Sequence, residues 1–163
     1  MAHISSIGAG IYTSLAYGTN DADAATQAEF EAVSYTEVSN VRDFPAFLAP
    51  ANIVNVPVYG QGQSSQISAQ ADAPTLEFTI NYVPADHNAL QALAGDGTTY
   101  LFRIRLANAE LSSPVVAADE HSDFYVRGTI AAFQVTPSLS DSNQATVTLS
   151  TTGDYFGPFT TTV

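Results

Sequence analysis

TLEFTINYVPADHNALQALAGDGTTYLFRIRL, residues 75–106, carries most of what the sequence says about the fold. Thr75–Val83 alternates strictly, with Leu76, Phe78, Ile80 and Tyr82 on one face and Thr75, Glu77, Thr79 and Asn81 on the other. This is the pattern of a half-buried strand. Pro84 then opens a short helix, and Asp86 in its first turn suits the positive end of the helix dipole. Ala89, Leu90 and Leu93 recur at helical spacing, Gly95 closes the helix, and Asp96-Gly97 turns the chain into a second strand. On that strand, Thr99–Leu106, Tyr100, Phe102, Ile104 and Leu106 share one face; Thr99, Leu101, Arg103 and Arg105 share the other.

The same alternation extends in both directions. Asp123–Thr136 reads as a long strand with Gly128 at a bulge. Gln144–Thr151 sets Ala145, Val147 and Leu149 against Gln144, Thr146, Thr148 and Ser150. Upstream, Ile53–Tyr59 is β-branched with Pro57 at an edge position, and Ser34–Val38 is a short strand. Residues 20–32 are expected to lie as a loop rather than a short helix. Val41–Ala51, with Pro45 and Pro50 among Phe44, Phe47 and Leu48, reads as an irregular apolar loop. Gly60–Ala73, with two glycines and four glutamines, reads as a long polar loop. The tail from Gly153 places Tyr155, Phe156 and Phe159 beyond the last strand. About six strands and one helix predict a mainly β chain, an antiparallel sandwich or partial barrel with a packed helix. The organisation is an N-terminal arm or first strand over 1–33, the β domain over 34–152, and an aromatic tail over 153–163. Three polar strand faces imply one sheet surface that meets water.

Composition narrows the function. In 163 residues there are 16 acids against four cations, all arginine (Arg42, Arg103, Arg105 and Arg127), for a net charge of −12. With 45% hydrophobic residues the chain has enough apolar side chain for a core, so the acid belongs to a folded surface. The absence of cysteine removes disulfides, thiolate metal sites and cysteine nucleophiles. A polyanion with no basic patch is ill suited to gripping phosphate backbones. The start lacks a basic segment followed by an apolar run, so no signal peptide is expected.

Candidate chemistry is sparse. His3, His87 and His121 lie far apart, and His87 in the first helical turn is expected to face solvent. Asp119, Glu120, His121 and Asp123 form the only dense group of possible ligands. Carboxylates so spaced can converge on a hard cation such as calcium, but a solvated acidic loop explains them as well. Asp21-x-Asp23 lacks the remaining ligands of a calcium loop. No serine sits in a nucleophile elbow, and Gly60-Gln-Gly62 is no phosphate loop. Glu77 is expected to meet Arg103 or Arg105 across neighbouring strands. No catalytic residue, metal site or cofactor is assigned, and the expected class is an interaction protein, not an enzyme. Phe44, Phe47, Tyr155, Phe156 and Phe159, on irregular segments, are expected to be covered at least in part by a neighbouring chain.

One resemblance emerges from these segments. A strand, Pro-x-Asp, a short helix, a Gly-rich turn and an aromatic-rich strand over residues 81–106 resemble the tail tube (major tail) proteins of long-tailed bacteriophages. TEVSNVRDFPAFLAPANIVNVP resembles the segment before that family's long loop, and TVTLSTTGD its closing strand, so the likeness covers roughly residues 35–152. It implies a virion structural protein that forms hexameric rings, stacked into a tube around a tape measure protein. The tube ends at terminator and tip proteins, is assembled in the bacterial host cytoplasm, and later conducts double-stranded DNA without specific binding. Each subunit would lend about four strands to a shared inner barrel. At ~4.8 Å spacing and ~40° tilt, 24 strands enclose a lumen of roughly 40 Å, wide enough for a duplex. Six copies at −12 each would carry −72 per ring. The resemblance maps the outer helix to Pro84–Ala94 and an inter-ring loop to Gly60–Ala73, adding Gln61, Gln63, Gln66 and Ile67 to the expected contacts. The alternatives are a calcium- or carbohydrate-binding extracellular β-sandwich, supported by the acids at 119–123, and a terminator or distal tail protein of the same fold.

Overall fold

The computed structural model describes residues 13–20, 22–48, 52–57, 59–60, 62, 65–69, 73–107 and 121–159. Strands β1 (Ser14–Thr19), β2 (Tyr35–Val38), β3 (Val41–Asp43), β6 (Thr75–Asn81), β7 (Tyr100–Ala107), β8 (His121–Thr136) and β9 (Gln144–Phe159) form one antiparallel sheet. Its order is β2-β1-β7-β8-β9-β6-β3, and β4 (Asn52–Val56) pairs with β5 (Ser65–Ala69) in a separate hairpin. The helices are α1 (Gln27–Ala32) and α2 (Pro84–Ala92). β2 and β3 occupy opposite edges of the sheet, yet only Ser39 and Asn40 separate them in the chain. The sheet must therefore curl until its edges approach each other, which makes a partial barrel. Asn40 turns this corner with φ 58°, a left-handed conformation that asparagine tolerates.

Alternation does the rest. Leu76, Phe78 and Ile80 of β6, Phe102 and Ile104 of β7, and Ala145, Val147 and Leu149 of β9 point into the curl with Leu15, Phe124, Val126 and Ile130. Leu90 of α2 joins them from outside the sheet. Opposite this core on β6, Thr75 and Glu77 are exposed, as the alternation predicts. The expected polar face does not extend to β7, where Leu101 is fully buried beneath α1.

The bulge at Gly128 forms, with the β8–β9 register shifting between Val126 and Gly128. A Cβ there would stand 2.6 Å from the Ser150 carbonyl oxygen and 3.2 Å from the Thr151 Cα, both main-chain atoms with little freedom to retreat. Gly128→Ala is expected to destabilise the domain by about 1–3 kcal/mol. Urea denaturation reads this directly, and an unchanged midpoint would show that the bulge relaxes around the methyl.

Four expectations need correction. Residues 27–32 are helical, because Glu29 reaches back to the backbone N–H groups of Ala25 and Thr26, 2.9 Å each, and to the Thr26 hydroxyl. The Thr-x-x-Glu spacing of a capping box outweighs the small, polar residues around it. Within the expected polar loop 60–73, Ser65–Ala69 forms a strand in register with β4. Residues 41–43, placed in the apolar loop, extend the sheet as β3. His87 does not face solvent: it is 1% exposed. Its Nδ1 accepts the Val83 N–H at 3.0 Å, and its Nε2 donates to the Ser39 carbonyl at 2.9 Å. The imidazole thus caps α2, where Val83 offers no side-chain cap, and ties the helix to the barrel corner.

Candidate assembly surfaces

A second cluster sits on the outer face of the sheet. Phe30 and Ala24 from the α1 segment close over Leu101 of β7 and Tyr125 of β8. The Phe30 ring stacks on Tyr125 at 4.7 Å and 11°, with Phe156 at 5.0 Å and Phe159 at 6.2 Å. The Tyr35 hydroxyl donates to the Phe30 carbonyl at 2.9 Å, fixing the end of α1 to β2. Burial pushes the Tyr125 hydroxyl up to about 12 and raises Tyr35 as well, so both stay neutral at ordinary pH.

All four arginines are engaged within the chain. Arg105 grips Asp123 in a two-point pair, Nε to Oδ1 and an η nitrogen to Oδ2, each 2.7 Å. Asp123 is 1% exposed. Arg103 lies 4.7 Å from the centroid of the Tyr35 ring. Arg127 lies over Phe156 at 5.0 Å and Phe30 at 5.8 Å, and donates to the Ala24 carbonyl. Arg42 pairs with Asp141 at 3.2 Å on the surface. The expected pairing of Glu77 with Arg103 or Arg105 does not occur. β6 lies between β9 and β3, β7 lies between β1 and β8, and Glu77 stands opposite Thr148. Asp123, one of the possible ligands at 119–123, is gripped by Arg105. Asp119 and Glu120 lie outside the described residues, and among those described no three ligands gather into a metal site. No described helix is long and apolar enough to cross a membrane.

The structure distributes the expected contact residues unevenly. Phe44 meets Phe78 edge-on at 5.7 Å and Phe47 meets Phe124 at 5.1 Å, so both half-bury against the inner core. β9 does not stop at residue 151 but continues to Phe159. Tyr155 packs on the inner core, and Phe156 and Phe159 pack on the outer cluster. The apolar cover that these rings need thus comes largely from their own chain. Gln66 and Ile67 lie on β5 opposite Asn55 and Val54. Gln61 and Gln63 lie outside the described residues.

Other side chains carry the exposed apolar surface, and sequence reading passed over most of them. Leu139 and Tyr59 are fully exposed, Leu48 is 51% exposed, and Val135 and Val83 are partly so. For Leu139 a signal was present, since it is the lone apolar residue in Ser138–Asn143, a turn otherwise made of Ser, Asp and Asn. That turn is held firmly. The Asn143 side chain accepts from the Ser138 N–H, the Ser138 hydroxyl accepts from the N–H groups of Ser140 and Asp141, and Asp141 accepts from the Ser142 N–H. The Ser142 hydroxyl also donates to Asn81 on β6.

The curled antiparallel sheet with a helix between β6 and β7 has a counterpart among solved structures. The chain is similar in structure to the SPP1 tail tube, with a TM-score of 0.57 over 86% of this chain and 73% of that one, at 10% sequence identity. No known protein family matches the sequence, and no curated protein does.

Proposed function

We propose that this chain is a structural subunit of a bacteriophage tail, assembling as hexameric rings that stack into the tail tube and enclose the path of the genome. The observation that carries the reading is the fold shared with the SPP1 tail tube across 86% of the chain. The charge arrangement supports it from a different direction. A conduit for DNA must hold phosphates weakly, and here every lysine is absent and every arginine already has a partner inside the fold. The proposed partners are further copies of the chain, a tape measure protein inside the tube, terminator and tip proteins at its ends, and double-stranded DNA in passage. Assembly takes place in the host cytoplasm and the mature location is the virion tail. The half-buried Phe44, Phe47, Tyr155, Phe156 and Phe159 offer their outward edges to neighbouring subunits. The β4–β5 hairpin, with Gln66 and Ile67 on its second strand, is the inter-ring arm.

Electron microscopy of the concentrated, purified protein tests this. Six-fold rings or hollow tubes are expected. A monomer that persists at high concentration, with no tube in the presence of the other tail proteins, would overturn the reading.

A further inference from the structure

The turn between α2 and β7 holds Asp96-Gly97, the only Asp-Gly step in the sequence, which has no Asn-Gly step either. An aspartate followed by glycine is the point at which a backbone most readily rearranges. The Gly97 amide nitrogen can attack the Asp96 Cγ and close a five-membered succinimide, while the amide proton and a carboxyl hydroxyl leave as water. A second water then reopens the ring. Breaking the N–Cγ bond restores aspartate. Breaking the bond to the main-chain carbonyl leaves isoaspartate, whose main chain runs through Cγ and is one methylene longer. Glycine has no Cβ to shield the attacking nitrogen. Here Asp96 and Gly97 are both exposed, and nothing lies within 4 Å of the place that a Gly97 Cβ would take.

The reacting carboxyl is nevertheless held. Asp96 Oδ1 accepts the Thr98 N–H at 2.8 Å, and Oδ2 accepts the Tyr100 hydroxyl at 2.5 Å. The first contact is a common turn device of aspartate. The second comes from the fold: Tyr100 on β7 pairs with Thr19 on one side and Gly128 on the other, and its ring packs against the inner core. The turn itself is tied down by the Gly95 N–H, which donates to the Ile130 carbonyl at 2.9 Å. Both donors to Asp96 favour its ionised form, Tyr100 most, and keep the carboxyl below the ordinary carboxylate range. Succinimide closure requires the reverse. The carboxyl must take up a proton so that a hydroxyl can leave, and one of the two hydrogen-bonded oxygens must depart.

We propose that Asp96-Gly97 is the chain's site of isoaspartate formation, and that the Tyr100 hydroxyl sets its rate by holding the Asp96 carboxylate while β7 is paired. The step is protected in the folded subunit and becomes reactive when the turn opens. Isoaspartate at residue 96 therefore accumulates with the time a copy spends open, whatever the chain assembles into.

The full chain, Tyr100→Phe and Asp96→Glu, aged side by side at neutral pH, test this. Isoaspartate is read by enzymatic methylation of its free carboxyl and located by peptide mass spectrometry. Tyr100→Phe keeps the ring, so a melting temperature within a few degrees of wild type is expected. Its isoaspartate at residue 96 should accumulate at least about threefold faster, because a hydrogen bond to the charged carboxyl is gone. Asp96→Glu should remove the signal, since its ring would need six members and closes far more slowly. Wild type aged in concentrated urea should react faster than folded wild type. Equal rates for wild type and Tyr100→Phe would overturn the role of the hydroxyl, as would an equal rise at Asp141-Ser142, which Tyr100 does not touch. Equal rates for wild type with and without urea would overturn protection by the fold. A signal that survives in Asp96→Glu would place the site elsewhere.

Discussion

Arg105→Ala is expected to destabilise the domain by about 3–5 kcal/mol, a large share of the 5–15 kcal/mol typical of a whole domain. The arginine reaches Asp123 across neighbouring strands β7 and β8 with two hydrogen bonds of 2.7 Å. The side chain of Arg105 keeps some contact with water at 24% exposure, while that of Asp123 keeps almost none at 2%. Removing the arginine takes two charge-assisted hydrogen bonds from a carboxylate in the protein interior, and much of its desolvation penalty then goes uncompensated. Hydrogen bonding to Asp123 raises the guanidinium further above its already high ordinary range, so the arginine stays charged throughout the working pH range. Asp123→Asn should cost less, because the arginine left behind is the more solvated member. Replacing both residues together, as Arg105→Met with Asp123→Leu, should recover most of the loss. Urea denaturation of the four proteins decides the matter. A loss under 1 kcal/mol for Arg105→Ala would mean that water reaches Asp123 and that the pair is no buried anchor.

Phe30→Ala is expected to cost a similar amount, about 3–5 kcal/mol. The ring is completely buried and touches Tyr125, Phe156 and Phe159, with the Arg127 guanidinium 5.8 Å away. It is the one buried side chain of α1, a six-residue helix too short to persist without tertiary contact. Its loss therefore releases the helix from the sheet and uncovers Leu101 and Tyr125 together. Near-ultraviolet circular dichroism should lose tyrosine signal along with the drop in melting temperature. If the midpoint moves by less than about 1 kcal/mol, α1 is a surface decoration and the outer cluster is held by β9 alone.

The parts of the fold legible in the sequence were those governed by local rules. Leu76, Phe78 and Ile80 alternate with Thr75, Glu77 and Thr79, so β6 and its inward face follow directly from the period of a strand. Pro84 and Gly95 bracket α2, and Gly128 marks the bulge, because each supplies a backbone property that other residues lack. What escaped depended on contacts between distant segments. His87 at a helical N-terminus looks solvated until the β2–β3 corner brings the Ser39 carbonyl to its ring. β9 continues through Gly153, Asp154 and Gly157, residues that ordinarily end strands, because β8 runs beside it to Phe159 and Phe30 receives its aromatic rings. The exposed apolar side chains were legible in kind but not in place. Large aromatic rings on irregular segments were the natural candidates, yet the fold half-buries them and leaves Leu139 in the open.

The engagement of all four arginines bears on how copies of this chain would meet. Each brings a formal charge of −12 and only four cationic side chains, all in contact within their own fold. Close packing of such bodies must draw its neutralising charge from dissolved ions. A long polymer of this chain would therefore be a polyelectrolyte, wrapped in a condensed atmosphere of mobile cations much as a nucleic acid is.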